Sequence, residues 1–390
     1  MKLFSRTDKS FLGRWWWTVD RGLISAFMVL VVFGIVLITT ASPPVARHLG
    51  LGEYHFLIRH LIMLVPALGI MFFTSMLEKR QVWRLASLGL IGALLAMIIV
   101  LATGMEIKGA QRWIHIFGFS LQPSEFAKPC FVIVAAWLMS LQKTRENFQG
   151  NYYAAGLYLF VVTLLLLQPD LGMTFIVTCC WAAQIFLAGF PFRLLLAFGG
   201  LGIVGLITAY FSFHHVHSRI NRFLDPESGD NFQVEKSLEA FQNGGFLGAG
   251  PGQGSVKLHL PDAHADFIFS VAGEELGLVF ILVIVLVFGF ILLRGYNRLM
   301  ESDDMFTVLG AGGLLTMFGL QALVHMGSAL NLLPAKGMTL PFISYGGSSV
   351  LSMGFAMGAV LALTRKQKRS GVSKGGLSHS LKAGRRIGKM

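Results

Sequence analysis

Ten apolar runs of about 20 residues each, separated by polar turns, leave this chain few folds to adopt. A segment that crosses a bilayer must satisfy its own backbone N–H and C=O groups, which restricts it to a helix or a closed barrel, and runs of roughly 20 residues have helix length. The runs fall at about 23–41, 57–76, 82–102, 125–141, 153–167, 172–188, 194–211, 267–293, 306–326 and 342–363. Hydrophobic residues make up 54% of the 390 and charged residues only 13%, more apolar sequence than a soluble core needs. The expected fold class is therefore all-α, a polytopic membrane protein with about ten transmembrane helices. The long polar stretch 214–266 forms a large external loop between the seventh and eighth.

The basic residues test this division independently, because cytoplasmic loops are rich in Lys and Arg. They cluster at Lys2, Arg6, Lys9, Arg14 and Arg21, at Lys79, Arg80 and Arg84, at Lys143 and Arg145, at Arg193, at Arg294 and Arg298, and throughout the tail after Arg365. Both termini are then cytoplasmic, and the turns at 42–55, 104–124, 168–171, 214–266 and 327–341 lie outside. The chain divides into a basic N-terminus (1–22), a transmembrane domain (23–364) and a basic, Gly/Ser-rich tail (365–390) expected to be disordered. The net charge of +12 resides mainly in these cytoplasmic segments. Attraction to anionic membrane lipids explains it, with docking of cytoplasmic partners as the sharper alternative; nucleic acid is not an expected partner. The first run lacks a small-residue cleavage site and reads as a retained helix anchored by Trp15 to Trp17. Cys130, Cys179 and Cys180 lie in apolar runs, with no disulfide framework or zinc spacing.

The candidate chemistry sits in the external turns. In the 104–124 turn, Arg112 and Lys108 are candidate phosphate ligands, Arg through its bidentate geometry, or else rim cations for lipid headgroups. Pro123, Ser124 and Glu125 start a helix, and Glu125 and Lys128 share one face, as an intrahelical ion pair or as substrate contacts. Asp170, in Gln168-Pro-Asp-Leu-Gly172, suits a helix cap better than catalysis. Within the large loop, Val234, Leu238 and Phe241 have the spacing of an amphipathic interfacial helix. The following glycine run lacks the ending of a nucleotide phosphate loop and reads as a closely packed segment.

Asp266 closes the sequence Leu260-Pro-Asp-Ala-His-Ala-Asp266 where an apolar helix begins, so a carboxylate there meets both water and a lipid-borne substrate. Capping or a salt bridge is its plainer role. Ser270, Gly273 and Gly277 make a small-residue face on the helix that follows. Glu274, deeper in the same helix, should face the bundle interior, because an acid facing lipid costs about 2.5–3.5 kcal/mol. In the last external turn, Lys336 suits a pyrophosphate as a point charge or snorkels to the surface. The run Ser344-Tyr-Gly-Gly-Ser-Ser349 permits close backbone approach.

The segments Gly109-Ala-Gln-Arg-Trp-Ile, Gln122-Pro-Ser-Glu-Phe-Ala-Lys128, Gln168-Pro-Asp-Leu-Gly, Arg222-Phe-Leu-Asp-Pro, Pro261-Asp-Ala-His-Ala-Asp-Phe-Ile-Phe, Gly273-Glu-Glu-Leu-Gly and Leu340-Pro-Phe-Ile-Ser-Tyr-Gly-Gly-Ser-Ser, in this order, resemble the SEDS family of bacterial cell-wall polymerases. Gly273 before the paired glutamates and Lys336-Gly before Met-Thr-Leu-Pro look like its division branch rather than its elongation branch. Ala265, in place of the usual Thr or Ser, and His325-Met-Gly-Ser-Ala-Leu-Asn depart from the common pattern.

The resemblance implies a peptidoglycan glycosyltransferase that polymerises lipid II at the outer face of the cytoplasmic (inner) membrane during septal wall synthesis. It would work with a class B penicillin-binding transpeptidase and other divisome membrane proteins. By the same resemblance Asp266 matches the family's essential acid, with His264 and Ser344 in matching motifs as further substrate-site candidates. Joining sugars while a lipid pyrophosphate leaves requires a base for the acceptor hydroxyl and positive charge for the leaving group. Asp266 is the candidate base, and Arg112, Lys128 and Lys336 are candidates for the charge, alone or with a divalent cation (Mg or Mn) held mainly by the phosphates. A lipid II flippase and a non-catalytic division scaffold are the rival readings.

Overall fold

Carboxylates and prolines set the helix starts that hydropathy alone leaves open. Asp20 accepts from the Leu23 N–H at 3.1 Å, Asp170 from Met173 N–H at 3.2 Å and Asp304 from Thr307 N–H at 3.2 Å, each satisfying one orphan donor of the first turn. Pro123 occupies a first-turn position, where its missing N–H is harmless. The computed structural model describes residues 10–103, 112–116, 119–212, 217, 221, 232–334 and 337–366. Most of the tail expected to be disordered lies outside these residues.

Among the described residues a short helix α1 (Phe11–Thr18) precedes α2 (Arg21–His48), α3 (His55–Met76), α4 (Lys79–Thr103), α5 (Pro123–Thr144), α6 (Gly150–Leu167), α7 (Leu171–Leu187) and α8 (Phe192–Ser212). Then come α9 (Phe232–Gly244), α10 (Ile268–Met300), α11 (Met305–Ala329) and α12 (Gly347–Leu363). Each of the ten apolar runs forms one of these helices. Seven are long and apolar enough to cross a membrane, while α7 and α12 are shorter apolar helices; the chain is a multi-pass membrane protein. Among the described residues, 10–18 with 365 and 366 belong to one unit and those within 19–364 to another. Within the larger unit α5, α11 and α12 are largely enclosed, and α3, α4, α6 and α10 leave most of their surface open, as lipid-facing helices do. Helix α12 packs chiefly on α3, and α11 on α5 and α7.

One end of this unit is clamped by charge. Asp20 accepts from Arg294 Nε at 2.6 Å and Arg298 Nε at 2.7 Å, joining the start of α2 to the end of α10. Burial pushes the Asp20 carboxyl upward, but the two guanidinium bonds outweigh it and hold the group below its ordinary value. Lys79 and Asp304 pair at 2.7 Å at the starts of α4 and α11. Asp266 precedes α10 and so lies at the opposite end from this clamp.

Two features depart from a purely helical reading. The turn before α5 contains an antiparallel hairpin, β1 (Ile114–Ile116) with β2 (Phe119–Leu121), paired Ile114 to Leu121. The eighth run is not one continuous helix either: Gly277 adopts φ 73°, ψ −177° and breaks α10. The small-residue face expected on this helix therefore ends at the break.

The glycine-rich loop after α9 repairs the break. Ala249 and Gly250 N–H groups donate to the freed carbonyls of Glu274 and Glu275, at 2.9 Å each, while Leu278 and Val279 N–H groups donate to Gly245 and Phe246 carbonyls at 2.9 and 3.2 Å. A Cβ on Gly277 would run into the backbone of Gly248 and Phe246. Gly277→Ala is therefore expected to lose at least about 1–3 kcal/mol from strain alone and to lower the melting temperature in detergent. Gly289→Ala, in the same helix with open space around it, should leave that temperature unchanged or raise it.

The side chains of the broken segment also hold the loop. Buried Glu274 accepts through Oε1 from Ser255 and Val256 N–H at 2.8 and 2.9 Å, so it points inward as its insertion cost requires. Glu275 forms a buried ion pair with Lys257, whose ammonium also donates to the Thr40 and Gly252 carbonyls at 3.1 Å.

Candidate active site

The turn at 261–267, the first turns of α3, the hairpin and the approach to α12 enclose a cavity of about 470 Å³. Asp266 and His264 both line it. Asp266 sits in the turn just before α10, its N–H donating to the Asp262 carbonyl at 3.0 Å, and is half-buried. Gly337 borders the Asp266 carboxylate across the cavity; Lys336, its neighbour, lies outside the described residues.

An aromatic wall stands beside the acid. The His264 ring lies 4.3 Å from Phe56 and 5.0 Å from Tyr345, centroid to centroid, and the Tyr345 N–H donates to the His264 carbonyl at 3.0 Å. Burial pushes the His264 imidazole down to about 4, with Asp262 partly opposing, so it is neutral at ordinary working pH. Because its folded value lies below the ordinary 6.5, the unfolded chain binds the proton more readily between these limits. Its contribution to stability is complete above about 6.5 and is lost as the pH falls toward 4. Thermal melts are expected to drop across that window, and His264→Gln should make the drop shallower.

Glu125 reaches the cavity from the first turn of α5, and Lys128 lies one turn deeper, almost wholly buried. Their charged atoms stand 2.9 Å apart, close enough for an ion pair although misaligned as a hydrogen bond. Lys128 also donates to Gln321 Oε1 at 3.1 Å, and Gln321 Nε2 donates to Thr339 and Ser349. This chain of polar contacts leaves the cavity at Glu125 and returns to it at Thr339 and Ser349, and the Lys128 charge is balanced within it.

The remaining sequence candidates lie around the cavity rather than in it. Arg112 Nε donates to the Gln168 carbonyl at 2.8 Å, Nη2 to the Pro169 carbonyl, and Nη1 lies 3.8 Å from Asp170. It ties the hairpin to the turn before α7, while its neighbour Trp113 lines the cavity. Asp170 caps α7 and accepts from Gln122 Nε2 at 3.2 Å. Ser344, fully buried, accepts from the Leu340 N–H at 2.8 Å and fixes the turn before α12. Glu274 belongs to the loop anchor described above.

Sequence reasoning missed Arg59. It lines the cavity from the first turns of α3, with its guanidinium close enough to the Tyr345 hydroxyl to act on it. Burial raises the Tyr345 phenol, and Arg59 pulls it partly back. The signal was available: an arginine inside an apolar run is a functional candidate by default. Among the described residues no three His, Cys, Asp or Glu side chains stand together as metal ligands. A divalent cation here would need oxygens from a bound phosphate besides the cavity carboxylates. Beside the cavity, an almost wholly apolar groove of about 620 Å³ runs between α3, α4, α5 and α12, and Leu121 lines both spaces.

Comparison with known proteins agrees with the multi-pass helical fold. The family model described as "Cell cycle protein", covering FtsW, RodA and SpoVE, matches residues 21–369. A probable peptidoglycan glycosyltransferase FtsW of Caulobacter vibrioides is 42% identical over 93% of this chain and 94% of its own length. That of Geobacter metallireducens is 36% identical over 90% and 95%. Among solved structures, a chain of a peptidoglycan synthase complex superposes with TM-score 0.74 at 28% identity, covering 90% of this chain and 99% of the other. The rod shape determining protein RodA of Thermus thermophilus gives TM-score 0.67 with the same identity and coverage. The chain is a member of the FtsW/RodA/SpoVE cell-cycle family.

Proposed function

We propose that this protein is a peptidoglycan glycosyltransferase that joins lipid II units at the outer membrane face, with Asp266 as general base. The observation that carries the reading is the shared cavity: Asp266, Glu125, His264 and Arg59 all line one space beside an apolar groove. A lipid-linked sugar needs such a pairing of a polar chamber with a hydrocarbon slot. The basic clamp at the opposite end of the bundle supports cytoplasmic termini and an outward cavity.

In the reaction the acceptor 4-hydroxyl attacks the anomeric carbon of the donor sugar. The new O–C bond forms as the bond from that carbon to the lipid pyrophosphate breaks, inverting the centre in a single displacement. Asp266 takes the hydroxyl proton, and the departing pyrophosphate carries the electron pair away. Arg59 offers that group a planar, always charged donor set, and Lys336 is a second candidate. Lys128 is already balanced by Glu125, so we assign it to organising the floor. When bound, a divalent cation would add charge at the phosphates, and the cavity carboxylates of Glu125, Asp262 and Asp266 are the side chains that would help to hold it.

The names of the relatives support septal wall synthesis, and the structural likeness to a synthase complex supports a class B penicillin-binding transpeptidase as partner. Purified protein given labelled lipid II, with and without that partner, should build glycan strands. Movement of lipid II across proteoliposomes without polymer would instead identify a transporter, and neither activity would leave a scaffold.

A further inference from the structure

We propose that the glycine-rich loop after α9 is re-entrant, and that Phe246 and Leu247 at its tip insert among the acyl chains of phospholipids in the leaflet on the Asp266 side. Both residues are widely exposed, 75% and 81%, and adjacent. Their depth follows from two helices used as rulers. The Asp20 contacts with Arg294 and Arg298 fix a common level at the far end of α2 and α10.

Counted from Asp20, Phe33 is about 20 Å along α2, and counted from Arg294, Phe280 is about 21 Å along α10, at 1.5 Å per residue. Their rings meet at 4.8 Å, so the two rulers agree. Leu278 and Val279, which donate to Gly245 and Phe246, stand about 23 Å from the clamp. Thr40, which accepts from Lys257, stands about 30 Å away. The charged clamp marks the edge of the hydrocarbon core at its end of the bundle, and that core is about 30 Å thick, so the loop dips inside it at Phe246 and regains the far edge at Lys257.

Irregular backbone at that depth needs internal partners, and the bonds to the broken ends of α10 supply four of them. An apolar pair at the tip, directed away from those bonds, meets lipid rather than water. The inference depends only on the chain spanning the membrane and not on the proposed chemistry.

A nitroxide at Leu247→Cys in nanodiscs tests it, with Leu286→Cys, exposed in mid-helix, as lipid reference and Glu53→Cys as water reference. The parent protein, labelled in parallel, corrects for Cys179. The label at 247 is expected to match 286, with high accessibility to oxygen and low accessibility to a water-soluble nickel chelate. Matching Glu53→Cys instead would overturn the proposal. So would lipid-like accessibility that disappears when the partner transpeptidase is added, which would give the surface to a protein helix. If Leu247→Cys does not yield folded protein, Phe246→Cys provides the same readout.

Discussion

Asp266→Asn is expected to lower glycan polymerisation by about 100- to 10,000-fold, the usual worth of a positioned general base, while leaving the melting temperature close to that of the parent. Asparagine keeps the size and hydrogen-bonding reach of the side chain but cannot accept the acceptor's proton. Lipid II should still bind, because the aromatic wall, Arg59 and the apolar groove are untouched. Radiolabelled lipid II chased into polymer reads the rate, and binding of lipid II to the variant separates chemistry from recognition. Polymerisation by Asp266→Asn at the parent rate would remove the base assignment without disturbing the family membership.

Lys257→Met is expected to have the largest effect on stability. It leaves the almost fully buried Glu275 without its counter-charge, and breaking such a pair costs about 3–5 kcal/mol. The loop between α9 and the Asp266 turn is held at this point, so loss of folded protein and of polymerisation should appear together. Adding Glu275→Leu removes the stranded charge and should recover most of the lost melting temperature, since an apolar replacement of a buried pair is often neutral. Fluorescence-detected melts of the single and double variants read both results. A double variant no more stable than Lys257→Met would show that the ammonium contacts to Thr40 and Gly252 matter more than the pair.

What could be read in advance tracks the range of the interaction. The ten apolar helices, the existence of α9, the Asp170 cap and the inward Glu274 follow from local hydropathy, spacing and insertion cost, all legible within one or two helical turns; the face that α9 buries, at Ser237, Ala240 and Gly244, is set by its neighbours. The Glu125 and Lys128 pair is likewise a three-residue relation. Arg112 was legible as an exposed-turn cation but not as a tie to the Gln168 and Pro169 carbonyls, because those partners lie more than fifty residues away. The Gly277 break and its repair by residues 245–250 escaped for the same reason: glycine in an apolar run reads as small packing until the loop that stitches it is seen. Arg59 lies inside an apolar run rather than in a turn, and that position is itself the clue to its role.

The most direct test is a structure of this protein with a bound, unreactive lipid II analogue and an acceptor sugar. The account predicts the acceptor 4-hydroxyl within about 2.6–3.2 Å of the Asp266 carboxylate, the pyrophosphate against Arg59, and the lipid chain in the groove that shares Leu121. An acceptor held away from Asp266, or a pyrophosphate bound at the end of the bundle that carries the Asp20 clamp, would contradict it.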